Sequence, residues 1–327
     1  MELINFVEGE HHDVWYHAPM NKRALRADIL LLLTSCIWGF AFVAQRTGMD
    51  YVGPFTFNGI RFLLGSLSLL PLIFVLRRKA AAGPRAEGQP SASPKRLILS
   101  SLAAGTCLFA GASLQQVGII YTTAGHSGFI TGLYVVLVPI FGIFLGRKTG
   151  LPTWVGAVFT LTGLYFLSAA GNIGSINPGD IITAVSALFW TLHVLVIDAL
   201  VKKVDPLMLS SGQFACCGIL SCIVALVRME PLAAANLVGG LVPILYGGFA
   251  SVGVAYTLQV VAQKDAPPAH ASIILCLEGV FAAIGGVLIL SEPLGPWTLL
   301  GFILMFCGML ATQFDVIVGS REHSAGA

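Results

Sequence analysis

The stretch "ASIILCLEGVFAAIGGVLIL", residues 271–290, is apolar along almost its whole length and carries one carboxylate, Glu278, near its middle. A helix needs roughly 20 such residues to cross about 30 Å of hydrocarbon. The solvent around Glu278 therefore decides how the rest of the chain is read. Of the 327 residues, 56% are hydrophobic and only 10% charged, and the mean hydropathy is +0.85. A water-soluble domain carries about a quarter charged residues, so a soluble fold is excluded. Apolar segments of spanning length fall at 28–45, 55–76, 97–117, 122–146, 152–170, 179–200, 207–228, 238–261, 269–290 and 296–314. The expected fold is an all-α integral membrane protein with ten transmembrane helices.

Basic residues set the direction, because positively charged loops stay cytoplasmic. With the amino terminus inside, Lys22, Arg23, Arg26, Arg77, Arg78, Lys79, Arg85, Lys95, Arg96, Arg147, Lys148, Lys202, Lys203, Lys264 and Arg321 all fall on the cytoplasmic side, leaving only Arg46 and Arg228 outside and Arg61 within the second span. The expected location is the inner (plasma) membrane, multi-pass, with both termini cytoplasmic. Residues 1–19 contain Glu2, Glu8, Glu10 and Asp13, no basic residue and no apolar core, so the first helix itself serves as the targeting signal. The segment "MNKRALRAD" makes Met20 an alternative start. All seven cysteines lie inside predicted spans without CxxC spacing and read as small packing residues. The stretch 77–96, rich in Pro, Ala, Gly and Ser, reads as a flexible cytoplasmic loop.

The chain repeats itself. Trp38, Pro54 and Phe62 recur as Trp190, Pro206 and Phe214, an offset of 152, and Leu114, Gln115, His126 and Gly142 recur as Leu258, Gln259, His270 and Gly286, an offset of 144. This divides the chain into a cytoplasmic tail (1–27), a first five-helix repeat (28–170), a connecting loop (171–178), a second repeat (179–314) and a final tail (315–327). Five spans per half is odd, so the halves cross in opposite senses. Inverted repeats let a central site open to either side in turn, the plan of a secondary transporter. "GFITG" (128–132) and "GIFLG" (142–146) are GxxxG patterns that suit close helix packing.

"SCIWGFAFVAQRTG" (35–48), "NGIRF" (58–62) and "ASIILCLEGVFAAIGGVLILSEPLGPWTLLGFILMFCGML" (271–310) resemble the EamA-type branch of the drug/metabolite transporter superfamily. The resemblance extends from about residue 28 to 314 and covers ten spans in two halves. It implies movement of a small metabolite, often export of an amino acid or related compound. Glu278 falls on the family's ninth-span glutamate and Glu292 on a second one just beyond. Gly279 stands where the family often has proline, and "LGRKTG" (145–150) where many relatives carry an acidic residue.

Charges inside the bilayer cost at least about 2.5 kcal/mol each and normally face a cavity or a partner. At 1.5 Å per residue, Glu278 lies about 13 Å from one surface and Arg61 about 10 Å from the other. Either they serve a solute, a proton or a gate, or they form a permanent ion pair. Asn58, one turn from Arg61, and Gln115, Gln116 and Gln259 can bond a solute or neighbouring helices. Trp38 and Trp190 fit a cavity wall or ordinary packing, and His193 fits the same region or a satisfied structural role. Tyr134 is the repeat counterpart of Glu278, and Tyr256 completes the substrate-binding set, in which Glu278 is also the proton-coupling candidate. No cofactor or metal site is expected, and the expected partners are a small-molecule substrate and the lipid bilayer, with no nucleic acid and homodimerisation open. "GHSG" (125–128) matches the Gly-x-Ser-Gly of rhomboid-like intramembrane serine proteases, but no predicted span carries the HxxxN pattern and the span count is wrong. No HExxH or P-loop is present. The expected function is a secondary transporter, an exporter with proton coupling open; a channel or scaffold without carrier activity is the alternative.

Overall fold

A computed structural model describes residues 22–82, 93–146, 149–169, 178–292, 295–297, 299–301, 303–308 and 311. Residues 83–92 of the expected linker, 171–177 of the connecting loop, the C-terminal tail and residues 1–21, with the alternative start at Met20, lie outside the described residues, whereas 22–27 of the expected N-terminal tail belong to the first helix. Proline opens many of the helices, since it lacks the N–H that a first turn leaves unused and its φ is already helical. The first half runs through α1 (Lys22–Gly48), α2 (Pro54–Ala82), α3 (Pro94–Gly118), α4 (Ala124–Thr131), α5 (Tyr134–Phe144) and α6 (Leu151–Ala169). The second half contains α7 (Pro178–Val201), α8 (Pro206–Val227), α9 (Ala234–Gly239), α10 (Leu241–Leu245), a π-helical stretch (Tyr246–Tyr256), α11 (Thr257–Ala262), α12 (Pro268–Leu275) and α13 (Glu278–Leu290).

Among the described residues, 8 helical segments are long and apolar enough to cross a membrane, with α4–α5, α10–α11 and α12–α13 each counted as one. The 19-residue α6 and a shorter apolar helix, Leu299–Gly308, lie where the fifth and tenth spans are expected. Large apolar side chains point outward, among them Leu67, Phe74, Ile98 and Leu226, whereas Arg61 and Glu278 are only 1% and 4% exposed. That distribution suits lipid, which accepts apolar surface but not unpaired polar groups.

Three expectations need correction. The spans 122–146 and 269–290, read as continuous, are each broken in two, and 238–261 is divided among α9, α10, the π-helical stretch and α11. The 77–96 stretch is not loop throughout, because α2 continues to Ala82. In "GFITG", Gly128 does pack closely, and a Cβ there would lie 2.8 Å from that of Ala282. In "GIFLG", Gly146 instead turns left-handed at φ 73° beyond the end of α5 and meets nothing within 4 Å.

The two mid-span breaks share one geometry. Leu133 N donates to Ile130 O and Val135 N to Gly132 O; 144 positions later, Leu277 N donates to Ile274 O and Gly279 N to Cys276 O. These i→i−3 bonds are single 3₁₀ turns inserted into α-helical spans, a device that tends to mark hinges. Helix contacts elsewhere are close because glycine permits them: a Cβ on Gly118 would sit 2.9 Å from Gly179 O, and one on Gly39 would sit 2.8 Å from Ala282 N. Glu230, just beyond α8, accepts from Phe55 N at 3.2 Å and Thr56 N at 2.7 Å, capping α2 of the other half.

Candidate functional site

The two broken spans, α1, α2, α3, α7, the π-helical stretch and α11 surround a cavity. From the first half come Trp38, Phe42, Gln45, Arg61, Gln115, Thr131 and Tyr134. From the second come Trp190, His193, Val194, Ser251, Tyr256, Gln259, Leu275 and Glu278. Much of the wall is paired by the repeat: Trp38 with Trp190 and Phe42 with Val194 at offset 152, Gln115 with Gln259, Thr131 with Leu275 and Tyr134 with Glu278 at offset 144. The positions match between the halves, but the chemistry at them does not.

Arg61 stands in the aromatic part of the wall. Its Nε donates to Asn58 Oδ1 at 2.9 Å, and its guanidinium carbon lies 5.5 Å and 4.8 Å from the ring centres of Phe57 and Phe62. Asn58 is itself anchored through Nδ2 to Ala112 O at 3.1 Å. Arg61 Nη2 is buried without a hydrogen-bond partner. No carboxylate among the described residues lies within ion-pairing distance of it, so the permanent Arg61–Glu278 pair considered from the sequence is not formed. Stacking on the rings supplies part of what the missing anion would give.

Glu278 is the first residue of α13, and Tyr134 the first of α5. Each therefore follows directly on the 3₁₀ turn that breaks its span. The Tyr134 hydroxyl interacts with that carboxylate but has no hydrogen bond of ordinary length. Around the aromatic floor, Tyr256 contacts Trp38 at 4.4 Å, Phe214 at 5.8 Å and Trp190 at 6.1 Å between ring centres. His193 Nε2 meets Gln213 Oε1 at 2.8 Å, so this histidine is both hydrogen-bonded and part of the cavity wall. Gln213 occupies the repeat position of Arg61 (213 − 152 = 61).

A model of the EamA-like transporter family matches residues 25–169 and 177–313. The chain belongs to the EamA-like transporter family. An uncharacterised transporter of Archaeoglobus fulgidus is 30% identical over 295 residues, covering 90% of this chain and 88% of that protein. The uncharacterised inner membrane transporter YedA of Escherichia coli K12 is 23% identical, covering 84% and 87%. Human solute carrier family 35 member F6 is 24% identical over 200 residues, with 54% and 53% covered. A crystal structure at 16% identity shares the fold, with TM-score 0.67 over 88% of this chain and 96% of the other. This EamA-like protein is a multi-pass membrane transporter, not an enzyme.

Of the expected site residues in this EamA-like transporter, Asn58 and Gln116 stand outside the cavity wall. Asn58 holds Arg61 from behind, and Gln116 Nε2 turns away to Gln45 O at 3.2 Å. The wall also contains Phe42, Gln45, Thr131, Val194, Ser251 and Leu275, which the sequence reading missed. Phe42 and Val194 carried a usable signal, since each lies one helical turn after a matched tryptophan. Thr131 accepts from Gln115 Nε2 at 2.9 Å and so fixes that amide.

Proposed function

We propose that this transporter moves a small amphoteric metabolite, an amino acid or related compound, outward across the inner membrane by alternating access. In this reading ten spans form two inverted five-helix repeats, with both termini cytoplasmic and repeats at 28–170 and 179–314. One observation carries it: Arg61 and Glu278 line a single buried cavity without pairing to each other. Beside them, Trp190 Nε1 is an unpartnered buried donor, and Gln45 Oε1 and Gln259 Oε1 are unpartnered buried acceptors. Buried polar groups are costly unless bonded. A solute carrying both an anionic and a cationic end supplies partners for both sets, while its apolar part rests on Trp38 and Tyr256.

Broken spans whose half-helix ends meet at mid-membrane are a recurrent way for carriers to build a site that opens alternately to each side. Glu278 is the group through which a proton can be exchanged for the solute, and Tyr134 is the neutral partner beside it. The test begins with metabolite profiling of medium from cells with and without overexpression, followed by uptake of the enriched compound into proteoliposomes. Saturable uptake with counterflow is expected. Flux that rises linearly with concentration and shows no counterflow would identify a channel, and no flux at all would leave a scaffold.

A further inference from the structure

A short polar contact between helices outside the cavity joins the first turns of α1 to the first turn of α12. His270 Nε2 lies 2.7 Å from Asp28 Oδ1, with the histidine side chain 7% exposed and the aspartate 21%. The repeat gives this pair a counterpart. Asp28 corresponds to Asp180 (28 + 152) and His270 to His126 (270 − 144), so each half carries an aspartate near the start of its first helix and a histidine in the first turn of its fourth span. Because the halves run in opposite senses in the proposed topology, one Asp–His set falls at the cytoplasmic end and the other at the outer end.

The two sets are in different states. At the cytoplasmic end the pair is made. At the outer end Asp180 instead accepts from Thr122 Oγ1 at 2.7 Å, and the His126 ring has no hydrogen-bond partner among the described residues. Ala266 occupies the repeat position of Thr122, so the cytoplasmic aspartate has no equivalent hydroxyl to rest on. α1 packs against α12 at one end, and α4 packs against α7 at the other. In the proposed cycle, separation of these helix pairs opens the cavity at one mouth or the other. Arg26, Lys264 and Asp265 line a crevice beside Asp28, and the two cations offer it alternative partners once His270 withdraws.

We infer that Asp28–His270 and Asp180–His126 are alternately closed latches of the transport cycle, the first holding the cytoplasmic mouth shut and the second the outer mouth. The inference rests on the alternating-access reading. Transport swaps the two: Asp180 leaves Thr122 for His126 as Asp28 leaves His270. Residues 28, 126, 180 and 270 are thereby positioning residues, since none of them lines the cavity.

The test places a reporter, Ser251→Cys, in the cavity wall of a variant whose seven native cysteines are replaced by alanine or serine. A membrane-impermeant maleimide is applied to oriented vesicles from either side. Asp28→Asn and His270→Gln should each speed labelling from the cytoplasmic side and slow it from the outer side. The change should be about fivefold, as expected for loss of one partly buried side-chain hydrogen bond. Asp180→Asn and His126→Gln should shift both rates the opposite way, and the exchange Asp28→His with His270→Asp should restore the parental ratio. Melting temperature and monodispersity identify variants that merely misfold, and the exchange variant keeps the idea testable if a single substitution does. If the parent reporter labels from both sides but the four variants leave the ratio unchanged, or move it in one common direction, the latches are refuted. If the parent labels from one side only, alternating access itself fails, and the latches fail with it.

Discussion

Tyr134 and Glu278 occupy the same place in their two halves: each is the first residue after a 3₁₀ turn in the middle of a broken span, and the phenol lies beside the carboxylate. The repeat thus builds one frame and places a neutral group on one side and an ionisable group on the other. Under the proposed proton exchange, Glu278 is the position where coupling can be separated from architecture.

Glu278→Gln keeps the size and hydrogen-bonding capacity of the side chain but cannot exchange a proton. Reconstituted protein should lose accumulation driven by a pH gradient while retaining solute exchange at equal pH on both sides. A variant that still concentrates solute in response to the gradient as well as the parent would remove the coupling role. Loss of expression without any separable transport defect would assign the glutamate to folding.

Arg61→Lys preserves charge but replaces a planar fork with a point donor, and it gives up the stacking on Phe57 and Phe62. The expected result is a rise of about tenfold in the apparent KM for a carboxylate-bearing solute, the scale of losing a charge-assisted hydrogen bond. Counterflow at graded substrate concentration measures it. An unchanged KM would restrict Arg61 to a structural role.

Asn58→Ala tests the residue behind the arginine. It removes the acceptor of Arg61 Nε and the bond to Ala112 O, although Asn58 does not itself line the cavity. Affinity should fall in the same direction as for Arg61→Lys, while Asn58→Asp, which keeps the acceptor, should recover most of it. The KM of both variants decides the matter.

Gly39→Ala places a methyl group 2.7 Å from Phe281 C and 2.8 Å from Ala282 N, backbone atoms that cannot step aside as a side chain could. Forced overpacking of this kind costs about 1–3 kcal/mol. Thermal unfolding in detergent should begin a few degrees earlier, since the shift is about 2–4 °C per kcal/mol at 150–250 residues and smaller for a longer chain. An unchanged transition would mean that α1 and α13 separate without cost.

What the sequence made legible was what periodicity and charge control. Hydropathy located the apolar segments, and constant offsets paired Trp38 with Trp190, Gln115 with Gln259 and Tyr134 with Glu278, all of which line the cavity. Adjacent residues on a helix point about 100° apart, so spacing could not choose between Gln115, which faces the cavity, and Gln116, which faces α1. The 3₁₀ breaks were hidden because neither contains a proline and the apolar run continues through both. The π-helical stretch was hidden for the same reason, its residues YGGFASVGVAY being as apolar as an ordinary span. The absence of an Arg61–Glu278 pair depends on where two helices from different halves cross, which no local pattern records.

Arg61 has Gln213 as its repeat counterpart, and Glu278 has Tyr134. Each half therefore contributes charge of a single sign to the centre. Two copies of the first half, assembled head to tail, would enclose two guanidinium groups and no carboxylate, and two copies of the second would enclose two carboxylates and no guanidinium. Either assembly would reproduce the shape of the cavity while repelling one end of a dipolar solute. The two halves are thus electrically complementary, so that neither can replace the other.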